Sequence, residues 1–339
     1  MTGNQFRIGR RGLLAGAAAA GLGMPLVARA ARKISLKYGT NVPVTNPLNV
    51  RLKEAFDRIS KETEGAVEIR LFADNQLGSD AAMINQLRSG ALEMYSASGV
   101  IISTLVPAAS ITGIGFAWKD ESQIFGALDA DLGAYVRREL ATADLIAMDR
   151  CWDVSFKTMT SSTVPIKGPA DLNGFKIRVP IGQLSFSLFQ AFEAAPTTIN
   201  FSETYSALQT HIVDGTELPL LTFSSAKLWE VQKYVSITHH MWDGLWQVAN
   251  AKRWNSVPAE LQTVIRKHID QSALDQRRDT VEQNIAIARD LPSHGVQVVP
   301  VDAELFRVKL RASGYFPEWK DKFGPEAWSL LQKYSEPLG

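Results

Sequence analysis

Pro258 opens a helical pattern too long for one small domain. Proline suits a first helical turn, and neither proline nor glycine recurs before Pro292. Leu261, Val264, Ile265, Ile269, Leu274, Val281, Ile285 and Ala288 keep helical spacing as far as Leu291, and Gly295 supplies the stop. About 34 residues rising 1.5 Å each predict a rod of roughly 50 Å. A rod of that length fits a helix that crosses two lobes.

The preceding chain supplies lobes of α/β type. Ile34, Leu36 and Tyr38 alternate as a strand that ends in the loop Gly39 to Pro47, and Leu48 to Thr63 has helical spacing. Val67, Ile69 and Leu71 form a second strand. Ser79 caps a helix running to about Ser89, and Leu92, Met94 and Ser96 give a third strand. Strand–helix–strand–helix–strand with short connections implies parallel strands and right-handed crossovers. Asp120 to Leu140 is predicted as a helix and Leu145 to Met159 as one strand. That strand exceeds the usual length of about 5–6 residues and can serve two sheets as a hinge. Gln183 to Glu193, a segment capped by Ser202, and Ser224 to Gln232 read as helices, whereas Thr197 to Asn200 and Met241 to Arg253 read as strands. No repeat or polar linker separates the halves. The expected architecture is a hinged clam-shell: residues 31–155 with about 244–283 in one lobe, and residues 156–243 with 284–339 in the other.

Within this frame the run Asp171-Leu-Asn-Gly-Phe-Lys-Ile-Arg-Val-Pro180 stands out. Phe175, Ile177 and Val179 face one way, Lys176 and Arg178 the other, and Pro180 stops the strand because it cannot donate to a ladder. Arg178 is thereby left at a strand's carboxyl end, where open α/β sheets hold ligands. Its planar fork of donors suits a carboxylate. On spacing alone a solvated arginine on a strand face is the commoner case.

Composition narrows the class. Arg7, Arg10, Arg11 and Arg29 lie in the first thirty residues without an acid, which leaves 32 basic against 35 acidic side chains in the rest. Such a chain has no general attraction for nucleic acid or anionic lipid. The single cysteine, Cys151, excludes an intrachain disulfide and any multi-cysteine metal site, and reads as a small buried hydrophobe. His211, His239, His240, His268 and His294 match no metal-ligand spacing, and there is no G-x-S-x-G, Walker or G-x-G-x-x-G pattern. A binding protein is expected rather than an enzyme, with no cofactor. At the N-terminus, Arg10-Arg11-Gly-Leu-Leu precedes an apolar stretch to Val27, and Ala28-Arg29-Ala30 offers a small-x-small cleavage pattern. Residues 1–30 therefore read as a cleaved export signal of twin-arginine character, with the ordinary secretory route also open because Gly9 replaces the usual hydroxyl residue.

Three ordered signatures carry a resemblance. They are Pro169-Ala-Asp-Leu-Asn-Gly-Phe-Lys-Ile-Arg-Val-Pro180, then Asn200-Phe-Ser-Glu-Thr-Tyr-Ser-Ala-Leu-Gln-Thr210 with Val213-Asp-Gly215, and Ser225-Ala-Lys-Leu-Trp-Glu-Val-Gln-Lys-Tyr234. Together with Asn75-Gln-Leu-Gly78 and Gln86-Leu-x-x-Gly90, they resemble the DctP-type solute receptors of tripartite ATP-independent periplasmic (TRAP) transporters. The resemblance implies the two-lobed periplasmic-binding-protein fold, periplasmic residence, and small and large membrane subunits as partners. It also implies a monomer that takes a small-molecule carboxylate, with Arg178 as the carboxylate clamp.

Asn41, Ser98, Lys157 and Phe201 stand at matching site positions. Lys157 replaces a frequent second arginine, and Leu218 replaces an asparagine in the family's Asp-Gly-x-Glu-Asn-Pro run. Trp152 and Trp242 come from elements expected to border the cleft. With Leu218 they would favour a monocarboxylate with an apolar or aromatic body. The alternatives are a receptor that holds its acid through a metal ion, with Glu217 as an oxygen ligand, and an exported enzyme on a similar scaffold.

Overall fold

The first three predicted strands form as β1 (Ile34–Gly39), β2 (Val67–Phe72) and β3 (Met94–Ser98), with β1 parallel to both others. The computed structural model describes residues 33–338 and Met1, so the expected export signal lies outside the described residues. The helices between these strands begin as their sequences dictate. Pro47 follows the Asn46 cap, whose side chain accepts from Leu48 N, and Ser79 caps Asp80–Ser89 before left-handed Gly90.

The remaining strands are β4 (Leu145–Ala147), β5 (Trp152–Ser161), β6 (Lys176–Val179), β7 (Ala195–Thr198), β8 (Gly215–Pro219), β9 (Tyr234–Ile237), β10 (Trp242–Asn250) and β11 (Gln297–Pro300). The strand order is β2-β1-β3-β10-β5-β8-β6-β7, with β9 and β11 branching from β5. β5 is the junction. Trp152 to Phe156 pair with β10, whereas Lys157 to Met159 pair with β8 and Met159 to Ser161 with β9. One strand thus serves two half-sheets. It is shorter than the predicted Leu145–Met159 because the chain bends at Asp149 and Arg150, where Arg150 N bonds to Asp270 Oδ1 at 2.9 Å.

The ladder between β5 and β10 slips at Asp243/Gly244, opposite Ser155, which is held at φ 84°. The extra residue is Val154 on β5, so β10 keeps its alternation: Asp243 and Leu245, two apart, face the cleft, while Trp242 and Trp246 pack into the core. Gly244 is required, since a Cβ there would lie 2.0 Å from the Trp242 ring.

The long helix spans Ala259–Asp290 and packs on the helix Pro47–Glu62, on β5 and on the helix Leu220–Ser225. Its inner face differs from the apolar spacing. Leu274, Val281 and Ile285 are exposed, whereas His268, Ser272, Gln276, Arg277 and Thr280 are buried beside Ile265, Ile269 and Ala273. The reason is that this face meets backbone as well as side chains. Gln276 accepts from Asp153 N and donates to Asp153 O, and Arg277 donates to Cys151 O while pairing with Asp129.

Other boundaries also shift. The segment 120–140 breaks into Glu121–Leu128 and Asp131–Thr142. The helix predicted over 224–232 is replaced by Leu220–Ser225 and a short turn Leu228–Glu230, divided by Lys227 at φ 53°. The helix predicted to be capped by Ser202 starts at Phe201, after Asn200.

A buried carboxylate marks the junction. Asp153 Oδ1 accepts from Trp242 Nε1 at 2.9 Å and Ser155 N at 2.8 Å, while Oδ2 has no partner among the described residues. Burial, with the nearby Glu121 charge, pushes this carboxyl up to about 7 against the stabilising Trp242 bond. The folded protein therefore holds a proton there that the unfolded chain releases near pH 4. This contribution is complete below that pH and is lost as pH rises through 7, at about 1.4 kcal/mol per pH unit. Asn at this position mimics the protonated acid, so denaturant titrations should show wild type losing stability relative to Asp153→Asn between these limits. A pH-independent difference would contradict a protonated Asp153.

Candidate functional site

The carboxyl ends of β1, β3, β6 and β8 converge beside the bulge in β5. β6 lies parallel to β7 and β8, so Arg178 leaves the sheet at the end where a crevice forms. The residues after these strand ends, with Asp80, Lys157 and Asp243, line one cavity open to water-sized spheres over about 60 Å³. Val42, Ile101, Val154, Leu218 and Leu245 make up its apolar wall.

Arg178 is 3% exposed. Its Nε donates to Ile199 O at 2.9 Å, and Phe201 lies 6.0 Å from its Cζ. Among the described residues, Nη1 and Nη2 have neither a hydrogen bond nor an ion pair. Burial depresses its proton affinity, with Glu217, Asp80 and Asp243 opposing that from a distance. A buried guanidinium whose fork faces a cavity is a receptor for an anion, because an unpaired buried charge is costly.

The neighbouring groups are already engaged. Lys157, 2% exposed, donates to Glu217 Oε1 at 2.9 Å and lies 3.9 Å from Asp243 Oδ2. His240 Nε2 lies 3.4 Å from the other Glu217 oxygen, and its Nδ1 meets Thr238 Oγ1 at 2.7 Å. Burial works against the Glu217 anion, but Lys157 and His240 outweigh it and hold the carboxyl well below its usual range. Burial also lowers His240, which keeps it neutral. Asp80 Oδ1 accepts from Asn41 Nδ2 and Tyr95 OH, both at 2.9 Å, and Oδ2 accepts from Phe201 N at 3.4 Å. Ser98 Oγ donates to Asp243 Oδ1. Burial raises Asp243, more than Lys157 and Ser98 lower it.

Residues 38–312 match the family described as bacterial extracellular solute-binding protein, family 7, or DctP. The chain belongs to this family. It is a solute-binding protein of the TRAP type, and the family's proteins are periplasmic; among the described residues no helix is long and apolar enough to cross a membrane. This solute-binding protein is 30% identical over 275 residues to the sialic acid-binding periplasmic protein SiaP of Vibrio cholerae, covering 80% of this chain and 85% of that one. It is 29% identical over 265 residues to the 2,3-diketo-L-gulonate-binding periplasmic protein YiaO of Escherichia coli, covering 78% and 80%. The solved sugar acid binding protein of Advenella mimigardefordensis in complex with galactonate superposes with a TM-score of 0.84 at 26% identity, over 89% of this chain and 97% of that one. These neighbours share the two-lobed α/β fold.

Of the residues singled out in the sequence, Asn41, Ser98, Lys157, Arg178, Phe201 and Leu218 line the cavity of this solute-binding protein. Trp152 and Trp242 do not. Trp152 is sealed in the core with Leu52, Phe56 and Ile269, and Trp242 packs edge-on against Phe125 while bonding to Asp153. Val154 and Lys157 both line the cavity though three positions apart, because the bulge interrupts the alternation of β5; Trp152, two before Val154, is buried in the core. Lys157 does reach the cavity, but its charge is given to Glu217. The same pair occupies Glu217, the candidate metal ligand, and the described residues hold no group of three or more His, Cys, Asp or Glu placed to bind a metal ion.

Sequence reasoning missed Asp80, Thr222 and Asp243. Asp80 was hidden because an acid in a first helical turn is ordinary, and Asp243 because alternation tells which side chains share a face but not which face borders a cleft.

Proposed function

We propose that this protein captures a small monocarboxylic acid with a compact aliphatic body and delivers it to the small and large membrane subunits of a TRAP transporter. The observation that carries this reading is Arg178, a buried cation that lines the cavity and whose two outer nitrogens have no partner among the described residues. Relatives named for sialic acid and 2,3-diketo-L-gulonate, and a structure in complex with galactonate, support an acid. Those ligands carry many hydroxyls. Here Asn41 and Ser98 already donate to Asp80 and Asp243, and Leu218 joins Val42, Ile101, Val154 and Leu245 in an apolar wall. That wall supports a less polar body. With Trp152 and Trp242 in the cores, nothing favours an aromatic one.

In this reading the lobes are residues 31–155 with about 244–283, and residues 156–243 with 284–339, moving about the point where β5 changes partners. Closure would bury the Arg178–carboxylate pair and strengthen it. The protein would act in the periplasm as a monomer, exported by the twin-arginine or general secretory route.

Thermal-shift screening against short aliphatic monocarboxylates, dicarboxylates and sugar acids tests the reading. A ligand at a hundred times its Kd should add about 2.7 kcal/mol of stability. Stabilisation by monocarboxylates is expected. Stabilisation by dicarboxylates or sugar acids alone would contradict the compact aliphatic body.

A further inference from the structure

We propose that Asp243 is a second anchor in the cavity that reads a proton-donating group on the ligand, so that the acid bound carries a hydroxyl or ammonium substituent and its oxo counterpart is rejected. This rests on the assignment of Arg178 to the ligand carboxylate.

The cavity is overstocked with carboxylates. Among the described residues lining it, Asp80, Glu217 and Asp243 face two cations, Lys157 and Arg178, since burial lowers His240 and keeps it neutral. Two of the three acids are satisfied: Glu217 by Lys157, and Asp80 by Asn41, Tyr95 and Phe201 N. Asp243 is not. Ser98 donates to Oδ1, but Oδ2 has no hydrogen bond among the described residues, and the nearest cation is Lys157 at 3.9 Å. Asp243 shares one face of β10 with Leu245, and on that face it lines the cavity with Arg178.

Binding a bare anion would neutralise Arg178 and leave Asp243 facing added negative charge. The groups around Asp243 from every packed element are Lys157 on β5, Arg178 on β6, Glu217 on β8, Ser98 at the end of β3 and Asp80 on its helix. Ser98 already donates to Asp243 Oδ1, Lys157 is held by Glu217, and Arg178 is taken by the ligand. A donor must therefore come from the ligand. A hydroxyl satisfies Oδ2, and an ammonium also offsets the excess charge. A carbonyl offers only lone pairs to a carboxylate, and sites built around a hydrogen bond reject analogues that cannot make it.

Isothermal titration with matched sets sharing one skeleton tests this. The probes are alanine, lactate and pyruvate with propionate; and valine, its hydroxy and oxo analogues, and isovalerate. In at least one set the hydroxy or amino acid should bind at least about tenfold more tightly than the oxo and unsubstituted acids. Asp243→Asn, which can donate as well as accept, should bring the oxo acid to within about threefold of the hydroxy acid. Should that variant fail to fold, the wild-type ratios decide alone. Equal binding of oxo or unsubstituted acids overturns the donor-reading anchor and leaves the Arg178 clamp standing. An unchanged preference in folded Asp243→Asn also overturns it. Absence of binding by every probe overturns it too. Absence of binding by every acid in the wider screen overturns the clamp as well.

Discussion

Arg178→Ala is expected to weaken acid binding by about 2–5 kcal/mol, which is between roughly thirty-fold and a few thousand-fold in Kd. The lower limit corresponds to a charge-assisted contact that water partly replaces. The upper limit applies when the closed lobes leave the ligand carboxylate buried without a partner. Among the described residues Arg178 has no ion pair, so the loss should fall on ligand affinity more than on folding, and circular dichroism should show an intact apo protein. Arg178→Lys should lie between the two: it keeps a charge but loses the planar fork and the Nε bond to Ile199 O. Isothermal titration with the acid from the thermal-shift screen provides the measurement, and near-normal affinity in Arg178→Ala would refute the role.

Glu217→Ala should be the most damaging single change to stability. It strips the partner from Lys157, which is 2% exposed and has only Asp243, at 3.9 Å, to turn to. Breaking a buried pair from one side costs about 3–5 kcal/mol, because the remaining charge is desolvated without compensation. The double change Lys157→Met with Glu217→Met removes both charges and should recover much of that loss, since apolar replacements of buried pairs are often near neutral. Urea unfolding of the two single variants and the double variant measures the coupling. A Glu217→Ala protein within about 1 kcal/mol of wild type would show that the pair is solvated rather than sealed.

These two residues show how far a sequence can be read. Arg178 was legible because alternation and Pro180 placed it at a strand's carboxyl end, and the ordered motifs around it pointed to an acid. Lys157 was legible as a cation on the junction strand. Its partner was not, because β5 and β8 pair across sixty positions of sequence and neither strand encodes the other's register. Asp243 lay further out of reach. The run Met241 to Arg253 reads as a regular strand with Asp243 and Leu245 on one face, but only the pairing of β10 between β3 and β5 turns that face to the cavity.

The same division holds for the fold. Local signals such as Ser79, Pro47 and Gly90 marked helix ends well. The inner face of the long helix could not be inferred from apolar spacing. Gln276 and Arg277 are buried because they bond to the backbone of Asp153 and Cys151, a demand set by tertiary position. The tryptophans erred in the opposite direction. Aromatics on strands beside a cleft suggested a wall, but Trp152 and Trp242 fill the cores on either side of β5.

A crystal structure of the protein with the acid from the thermal-shift screen tests the central claim most directly. The account predicts the ligand carboxylate within hydrogen-bond distance of Arg178 Nη1 and Nη2, with its body against Leu218 and Leu245. A ligand whose carboxylate sits elsewhere, or a bound molecule without a carboxylate, would contradict it.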